Sequence, residues 1–278
     1  MKRLIFAALF IVAASFSFAQ TTTTTTTTTV TGKDTTVTTV TSSEKKNRMV
    51  TFKFGDRKAK ADSLRNARSA KSGFNFGITF SRFDIGLATL VDNGSFTLSP
   101  QNQFLRYRSW KTSNVGFDLV QFGYRFNNHF KVYVAGGFDW THIRLRENVT
   151  IQKGGDALTY INDDVDFSKN RFSSTYIRVP LSLEFRSKEN ANGKRFRFVA
   201  GPEVGLLLGG KVKQISPERG KQKTEDDYHF TKMRYGAVAR IGYGNGGLFA
   251  KYYFNDMFEN SPAQAGLKNF SFGFMFGF

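Results

Sequence analysis

Residues 270–278 read Phe-Ser-Phe-Gly-Phe-Met-Phe-Gly-Phe. Successive side chains of a β-strand point to opposite faces, so the five aromatic rings share one face, and small or flexible residues occupy the other. A strand of this kind lies between two chemically different environments. The aromatic residues of this segment are Phe270, Phe272, Phe274, Phe276 and Phe278.

The same period of two recurs upstream, from Gly73 onward. The first strand changes parity after Ser81-Arg82, which predicts a β-bulge there. A bulge is also predicted at Pro180, because proline removes a donor from the ladder. Eight strands are predicted, beginning near Phe74, Val120, Phe130, Ile177, Phe196, Met233, Leu248 and Phe270.

The second face of these strands is charged. In a closed barrel of eight strands, charges on this face would fill a narrow interior and pair with one another. The sequence therefore predicts an interior charge network formed by Arg178, Glu184, Arg186, Arg197, Glu203, Arg234, Arg240 and Lys251.

The connections between the predicted strands alternate in length. Short segments follow the second, fourth and sixth strands, near 127–129, 187–194 and 244–247, and long segments follow the others. Short periplasmic turns and long external loops are typical of outer-membrane barrels. The predicted fold is all-β: an eight-stranded antiparallel transmembrane β-barrel. A soluble lipocalin-like barrel, with its apolar face inward, is the alternative.

The N-terminal quarter has a different composition. Residues 1–19 have the basic start, apolar run and small-residue end of a secretory signal peptide. Residues 20–47 are rich in threonine and predict a disordered leader, because they offer few bulky apolar groups. Residues 48–72 form a basic linker, and residues 73–278 form the barrel.

The barrel segment resembles the PorT-like outer-membrane β-barrel family of Bacteroidetes-type bacteria. The resemblance lies in residues 176–185 (YIRVPLSLEF), in the run 198–202 (FVAGP), in the strand 234–244 and in the phenylalanine-ended last strand. It implies a barrel in the outer membrane. Its functional implication is weaker, because some members resemble components of a secretion apparatus.

The chain carries a formal net charge of +18 and contains no cysteine. The lack of cysteine excludes disulfides and zinc–thiolate sites. A basic balance often indicates nucleic acid, but an exported protein without a nucleic-acid-binding motif is not expected to bind it. Outer-membrane lipid and the phosphates of lipopolysaccharide are the expected partners.

Few residues suggest chemistry. The three histidines are His129, His142 and His229, and only His142 has serines that could approach it in space, Ser173 and Ser174. The acidic residues of 163–166 lack the pattern of a calcium loop. We therefore expect no catalytic, cofactor-binding or metal site.

The predicted function is that of a non-enzymatic outer-membrane barrel with a structural, surface-interaction or secretion-accessory role and a plugged polar interior. The alternatives are a lipid A-modifying outer-membrane enzyme and a narrow pore. The aromatic last strand predicts recognition by the barrel-insertion machinery, and secretion or envelope proteins are further candidate partners. The leader is expected in the periplasm.

Overall fold

The computed structural model describes residues 29–31, 34–36, 73–190 and 192–277. The structure is built from strands and three short 3-10 helices, Pro100–Leu105, Ser109–Lys111 and Pro262–Gln264. None of the helices in these ranges is long and apolar enough to cross a membrane. The strands are β1 (Thr29–Thr31), β2 (Asp34–Thr36), β3 (Gly73–Asp92), β4 (Ser113–Arg125), β5 (Phe130–Arg144), β6 (Val149–Ile151), β7 (Tyr160–Asn162), β8 (Lys169–Arg186), β9 (Phe196–Ser216), β10 (Gly220–Asp226), β11 (Met233–Tyr243), β12 (Gly246–Tyr253) and β13 (Leu267–Phe276).

Two short strands lie in the threonine-rich segment. β1 and β2 pair as an antiparallel hairpin, inside the stretch for which the sequence predicts disorder. β-branched threonine and valine favour extended backbone there. The predicted signal peptide, the rest of the leader and the basic linker lie outside the described residues.

Eight strands close into a ring. The order β9-β11-β12-β13-β3-β4-β5-β8 is completed by pairing of β8 with β9, and each neighbouring pair is antiparallel. Closure gives every strand of the ring two partners, which removes the exposed edges of an open sheet. The predicted all-β barrel fold is confirmed.

The ladder contains three register shifts. The first lies between Ile78 and Arg82, where the change of parity predicts it. The others occur at 118–120 in β4 and between Thr175 and Tyr176 in β8. The prediction of a bulge at Pro180 is wrong, since its pairing with Glu203 continues the register of the preceding residues.

The two ends of the barrel differ. Segments 126–129, 187–195 and 244–245 connect strands at one end, the short-turn end. Segments 93–112, 145–168, 217–232 and 254–266 connect them at the other, the long-loop end. β8, β9 and β10 extend beyond the ring at the long-loop end, where β9 and β10 form a hairpin. The predicted alternation of short and long connections is present.

The two faces of the ring differ as the alternation requires. Inward positions carry buried polar and charged side chains. Outward positions carry large exposed apolar side chains, among them Phe74, Phe76, Phe83, Ile85, Phe122, Val179, Leu181, Leu183, Phe185, Phe198, Leu206, Leu208, Tyr235, Ile241, Leu248, Phe272, Phe274 and Phe276.

An apolar core fills the long-loop end of the barrel. Loop residues pack there against the inward faces of the strand ends, and Phe172 is fully buried at the centre, with its ring centroid 4.6 Å from that of Phe230. We call this cluster the cap. Its members are Leu90, Phe104, Leu105, Ile143, Leu145, Val149, Ile151, Leu158, Phe172, Val212, Tyr228, Phe230, Phe258 and Leu267.

Candidate functional site

The interior charges belong to strands that are distant in sequence. Three fully buried carboxylates come from the first three strands of the ring: Asp84 on β3, Asp118 on β4 and Asp139 on β5. Strands later in the sequence supply most of the basic side chains that pair with these carboxylates. Burying an ion removes its hydration, so each of these groups requires partners of opposite charge or hydrogen bonds.

Arg178 is the centre of one cluster. Its Nη1 lies 2.6 Å from Asp84 Oδ2 and its Nη2 lies 2.6 Å from Asp118 Oδ1, while its Nε donates to Asp118 Oδ1 at 2.9 Å. Arg240 Nη2 lies 2.8 Å from the same oxygen of Asp84. Two guanidinium groups therefore share one carboxylate, in a region from which solvent is excluded.

Gly116 provides the space for this cluster. A Cβ atom at this position would lie 2.2 Å from Arg178 Nη1. Any side chain there would displace the guanidinium group from Asp84 and Asp118. Glycine at this position is thus required by a close approach.

Asp139 is the centre of a second cluster, nearer the cap. Lys251 Nζ lies 2.5 Å from Asp139 Oδ1, and Arg234 pairs with Asp139 Oδ2. Asn114 donates to both carboxylate oxygens, at 3.2 and 3.1 Å. The carboxylate is therefore satisfied by three partners on three other strands.

Two aromatic rings contact the guanidinium group of Arg234. Its guanidinium carbon lies 3.7 Å from the ring centroid of Tyr176 and 4.0 Å from that of Tyr253, in cation–π geometry. The Tyr253 hydroxyl donates to Glu203 Oε1 at 2.5 Å, and Lys251 Nζ lies 3.7 Å from that oxygen. Glu203 is thereby connected to the Asp139 cluster.

The remaining predicted charges lie elsewhere, toward the short-turn end. Arg186 Nε donates to Glu184 Oε1 at 2.8 Å, and Arg186 stands opposite Arg197 across β8 and β9. Lys131, which is also buried, lies with its Nζ 4.7 Å from the ring centroid of Tyr133. The structure thus divides the eight predicted residues: Arg178, Glu203, Arg234, Arg240 and Lys251 lie in the central clusters, and Glu184, Arg186 and Arg197 do not.

Sequence reasoning missed most of the acidic partners. Asp84 lies between Phe83 and Ile85, so the alternation after the first bulge could have placed it inside. Asp118 is harder to find, because the bulge at 118–120 changes the parity of β4. Asn114 lies in a part of β4 that precedes the predicted start of that strand.

The aromatic face of the last strand points outward. Phe272, Phe274 and Phe276 are exposed by 44%, 63% and 53%, and Phe270 is partly buried beside them. Phe278 lies outside the described residues. These rings contact the surroundings of the barrel and not its interior.

A cavity of about 20 Å³ lies between the Asp139 cluster and the cap, lined in part by Tyr176, Phe230, Arg234 and Asn269. A volume of this size accommodates about one water molecule. The charged clusters and the cap thus occupy successive levels along the barrel axis.

The histidines form no hydrogen-bonded catalytic constellation in the described residues. His129 is exposed in a short turn, and His229 is partly buried in a long loop. His142 stands directly opposite Ser173 across β5 and β8, yet neither His142 Nδ1 nor Ser173 Oγ has a hydrogen-bond partner.

Two of the acidic loop residues already have side-chain partners. Asp163 accepts from the Thr150 hydroxyl and lies 2.8 Å from Arg219 Nη1, and Asp166 accepts from Asn148 at 2.6 Å. Within the described part of the chain, no group of three or more such side chains is arranged to hold a metal ion.

Residues 60–259 match the family described as outer membrane protein beta-barrel domain. The chain belongs to this family. Membership agrees with the closed antiparallel ring and places the protein in the outer membrane. No curated protein matches the chain.

Among solved structures, the barrel is similar to Ail, the attachment invasion locus protein of Yersinia pestis, determined in complex with the heparin analogue sucrose octasulfate. The two chains share 15% identity, the match covers 74% of this chain and 97% of Ail, and the TM-score is 0.29.

Proposed function

We propose that this protein is a non-enzymatic outer-membrane barrel with a closed interior, acting through its surface in a structural, surface-interaction or secretion-accessory role. The observation that carries the proposal is the cluster around Arg178, in which oppositely charged groups from four strands meet across the lumen. Such pairing supports a lumen that is closed at that level. The cap adds an apolar layer above it.

A pore is the competing function that this packing opposes. Barrels of eight strands have interiors just wide enough to be filled by side chains. In planar bilayers, the purified protein should give no steady conductance of porin size. Stable channels of that size in most recordings would overturn the closed interior.

The orientation in the membrane is part of the proposal. We place the long-loop end outside the cell and the short turns and the N-terminal leader in the periplasm, following the usual arrangement of such barrels. A peptide tag inserted at 154–155 should bind antibody on intact cells, and a tag at residue 50 should bind only after the outer membrane is permeabilised. The reverse pattern would contradict this orientation.

The PorT-like resemblance supports a secretion-accessory role within the family. In a strain lacking this protein, loss of secreted proteins from the medium, with normal levels of other outer-membrane barrels, is the expected result of that role. Unchanged secretion would instead favour a structural or surface-interaction role. Lipopolysaccharide, the barrel-insertion machinery and envelope proteins are the proposed partners.

A lipid A-modifying enzyme is the second candidate, favoured by the position of Ser173 opposite His142. Both lie beyond Trp140 on the same side of the ladder, but the Ser173 hydroxyl is buried, so a lipid headgroup would reach it only after a local rearrangement. If the protein is an enzyme, lipid A from cells that express it should differ in mass from lipid A of cells expressing Ser173→Ala. Identical lipid A in both strains would exclude this candidate.

A further inference from the structure

Four basic side chains stand opposite one another across four neighbouring strands. Arg144 of β5 pairs with Arg171 of β8, Arg171 pairs with Lys213 of β9, and Lys213 pairs with Lys223 of β10. Residues opposed in an antiparallel ladder share one face, with Cβ atoms about 4.5–5.5 Å apart. Their neighbours Ile143, Phe172 and Val212 point into the cap, so this row points outward.

Further cations border the row. Arg108 is joined to the row by its backbone N–H, which donates to the carbonyl oxygen of Arg144 at 2.8 Å. We call the whole group the basic strip; it comprises Arg108, Arg144, Lys169, Arg171, Lys211, Lys213, Lys221 and Lys223. Glu225 offsets one of these charges, with its Oε1 2.6 Å from Lys211 Nζ. The strip therefore keeps a large excess of positive charge.

This arrangement opposes folding stability. Like charges directly opposite in a ladder repel each other. Arg171, together with a smaller effect of burial, lowers the pKa of Lys169, and burial together with Lys169 and Lys221 lowers the pKa of Lys213. A sheet selected only for stability would alternate the sign of charge, so the strip indicates an anionic ligand.

The strip begins where the apolar band ends. On β5 the outward residues run Phe138, Trp140, His142 and Arg144, and at a rise of about 3.4 Å per residue Arg144 lies about 14 Å beyond Trp140. On β9 the outward residues Leu206 and Leu208 are exposed by 50% and 54% and are followed by the strip. The cations thus lie at the level of lipid headgroups, just outside the hydrocarbon.

We propose that the basic strip binds the phosphate groups of a phosphorylated glycolipid in the outer leaflet of the outer membrane. The inference rests on the proposed orientation, with the long-loop end outside. Arginine binds phosphate through its planar fork of donors and lysine acts as a point charge. A lipid fits better than a soluble polyanion, because its acyl chains can lie along the apolar band directly below the strip.

The test compares two double variants of the full mature chain in detergent micelles. Arg171→Gln/Lys213→Gln removes two charges from the strip, and Lys188→Gln/Lys194→Gln removes two exposed charges from the short-turn end. The probes are diphosphoryl lipid A, dephosphorylated lipid A and soluble inositol hexakisphosphate, and binding is measured by native mass spectrometry at fixed salt.

Wild type and the short-turn variant should bind diphosphoryl lipid A with affinities within twofold of each other, and the strip variant should bind it at least tenfold more weakly. Dephosphorylated lipid A should bind wild type no better than it binds the strip variant. The strip variant should unfold at the same or a higher temperature, since a repulsion is removed. A purely structural strip would instead lower the unfolding temperature.

Equal binding of diphosphoryl lipid A by the strip variant and wild type would overturn the proposal. Strip-dependent binding of inositol hexakisphosphate without binding of lipid A would also overturn it, and would assign the strip to a soluble polyanion. Failure of the proposed orientation would be seen separately, by antibody labelling of the tag at 154–155.

Discussion

Arg178 is the residue on which the barrel interior depends most. It is fully buried and pairs with the carboxylates of Asp84 and Asp118. Arg178→Ala leaves these charges partly unpaired in a region without solvent. Removing one partner of a buried ion pair costs about 3–5 kcal/mol, and we expect that loss in the free energy of unfolding, measured by urea titration in lipid vesicles.

The matched control is Arg106→Ala. It removes the same charge from a pair with Glu147, whose Nη1–Oε1 distance is 3.3 Å and whose side chains are exposed by 51% and 38%. Exposed pairs contribute at most about 1 kcal/mol. Equal losses for the two variants would show that the interior pairs are not essential to stability.

At the residue scale, the sequence predicts which face is charged but not which charges meet. Alternation alone places Arg178, Arg234 and Arg240 inside, because parity is a local property. Their partners Asp84 and Asp139 lie on strands far away in sequence. The relative stagger of strands around a closed ring decides such contacts, and no local pattern encodes it.

The cap is the element that the sequence did not predict. Its residues come from four long connections and from the ends of β3, β5, β8, β9 and β13. In loops the apolar residues follow no period, so they cannot be distinguished from scattered surface residues. The eight strands could be predicted because each one separates two environments over many residues.

Phe172→Ala tests the independence of the cap. Truncating a fully buried phenylalanine costs about 3–5 kcal/mol, and this loss should open the cap while the ring of strands remains closed, as local unfolding allows. We expect faster protease cleavage within 145–168 and 217–232, with the folded barrel core still intact.

Phe185→Ala is the control for the cap variant. Phe185 lies on the same strand but points outward and is 49% exposed. Cleavage of the long loops should therefore stay at the wild-type rate. If both variants are cut equally fast, the cap and the ring open as one unit.

The last strand carries a prediction about assembly. Its outward rings include Phe274 and Phe276, and we infer that the insertion machinery reads this aromatic pattern together with Phe278. Deletion of Phe278 should sharply lower outer-membrane levels, measured by immunoblot of membrane fractions. Phe276→Leu, which keeps an apolar outward residue, should be better tolerated; normal levels after the deletion would show that Phe278 is only one more apolar side chain.

At the scale of the whole molecule, the closed ring predicts resistance to detergent. Every strand of the ring is paired on both sides, so no edge is available at which unfolding can begin. The unheated protein should migrate differently from the boiled protein in detergent gels. In cell fractionation, the protein should be recovered with the outer membranes. Identical migration and recovery in the soluble periplasm would contradict the membrane barrel.

The seam of the ring lies between its first and last strands, since β13 pairs with β3. The interior carboxylates of Asp84, Asp118 and Asp139 come from the first half of the barrel segment, and Arg240 and Lys251 come from the second. Before the ring closes, an aqueous environment must solvate those charges that have not yet met. We expect closure of the seam to complete the pairing of charges across the lumen, and a chain interrupted before β13 leaves unpaired strand edges that the hydrocarbon of the membrane rejects.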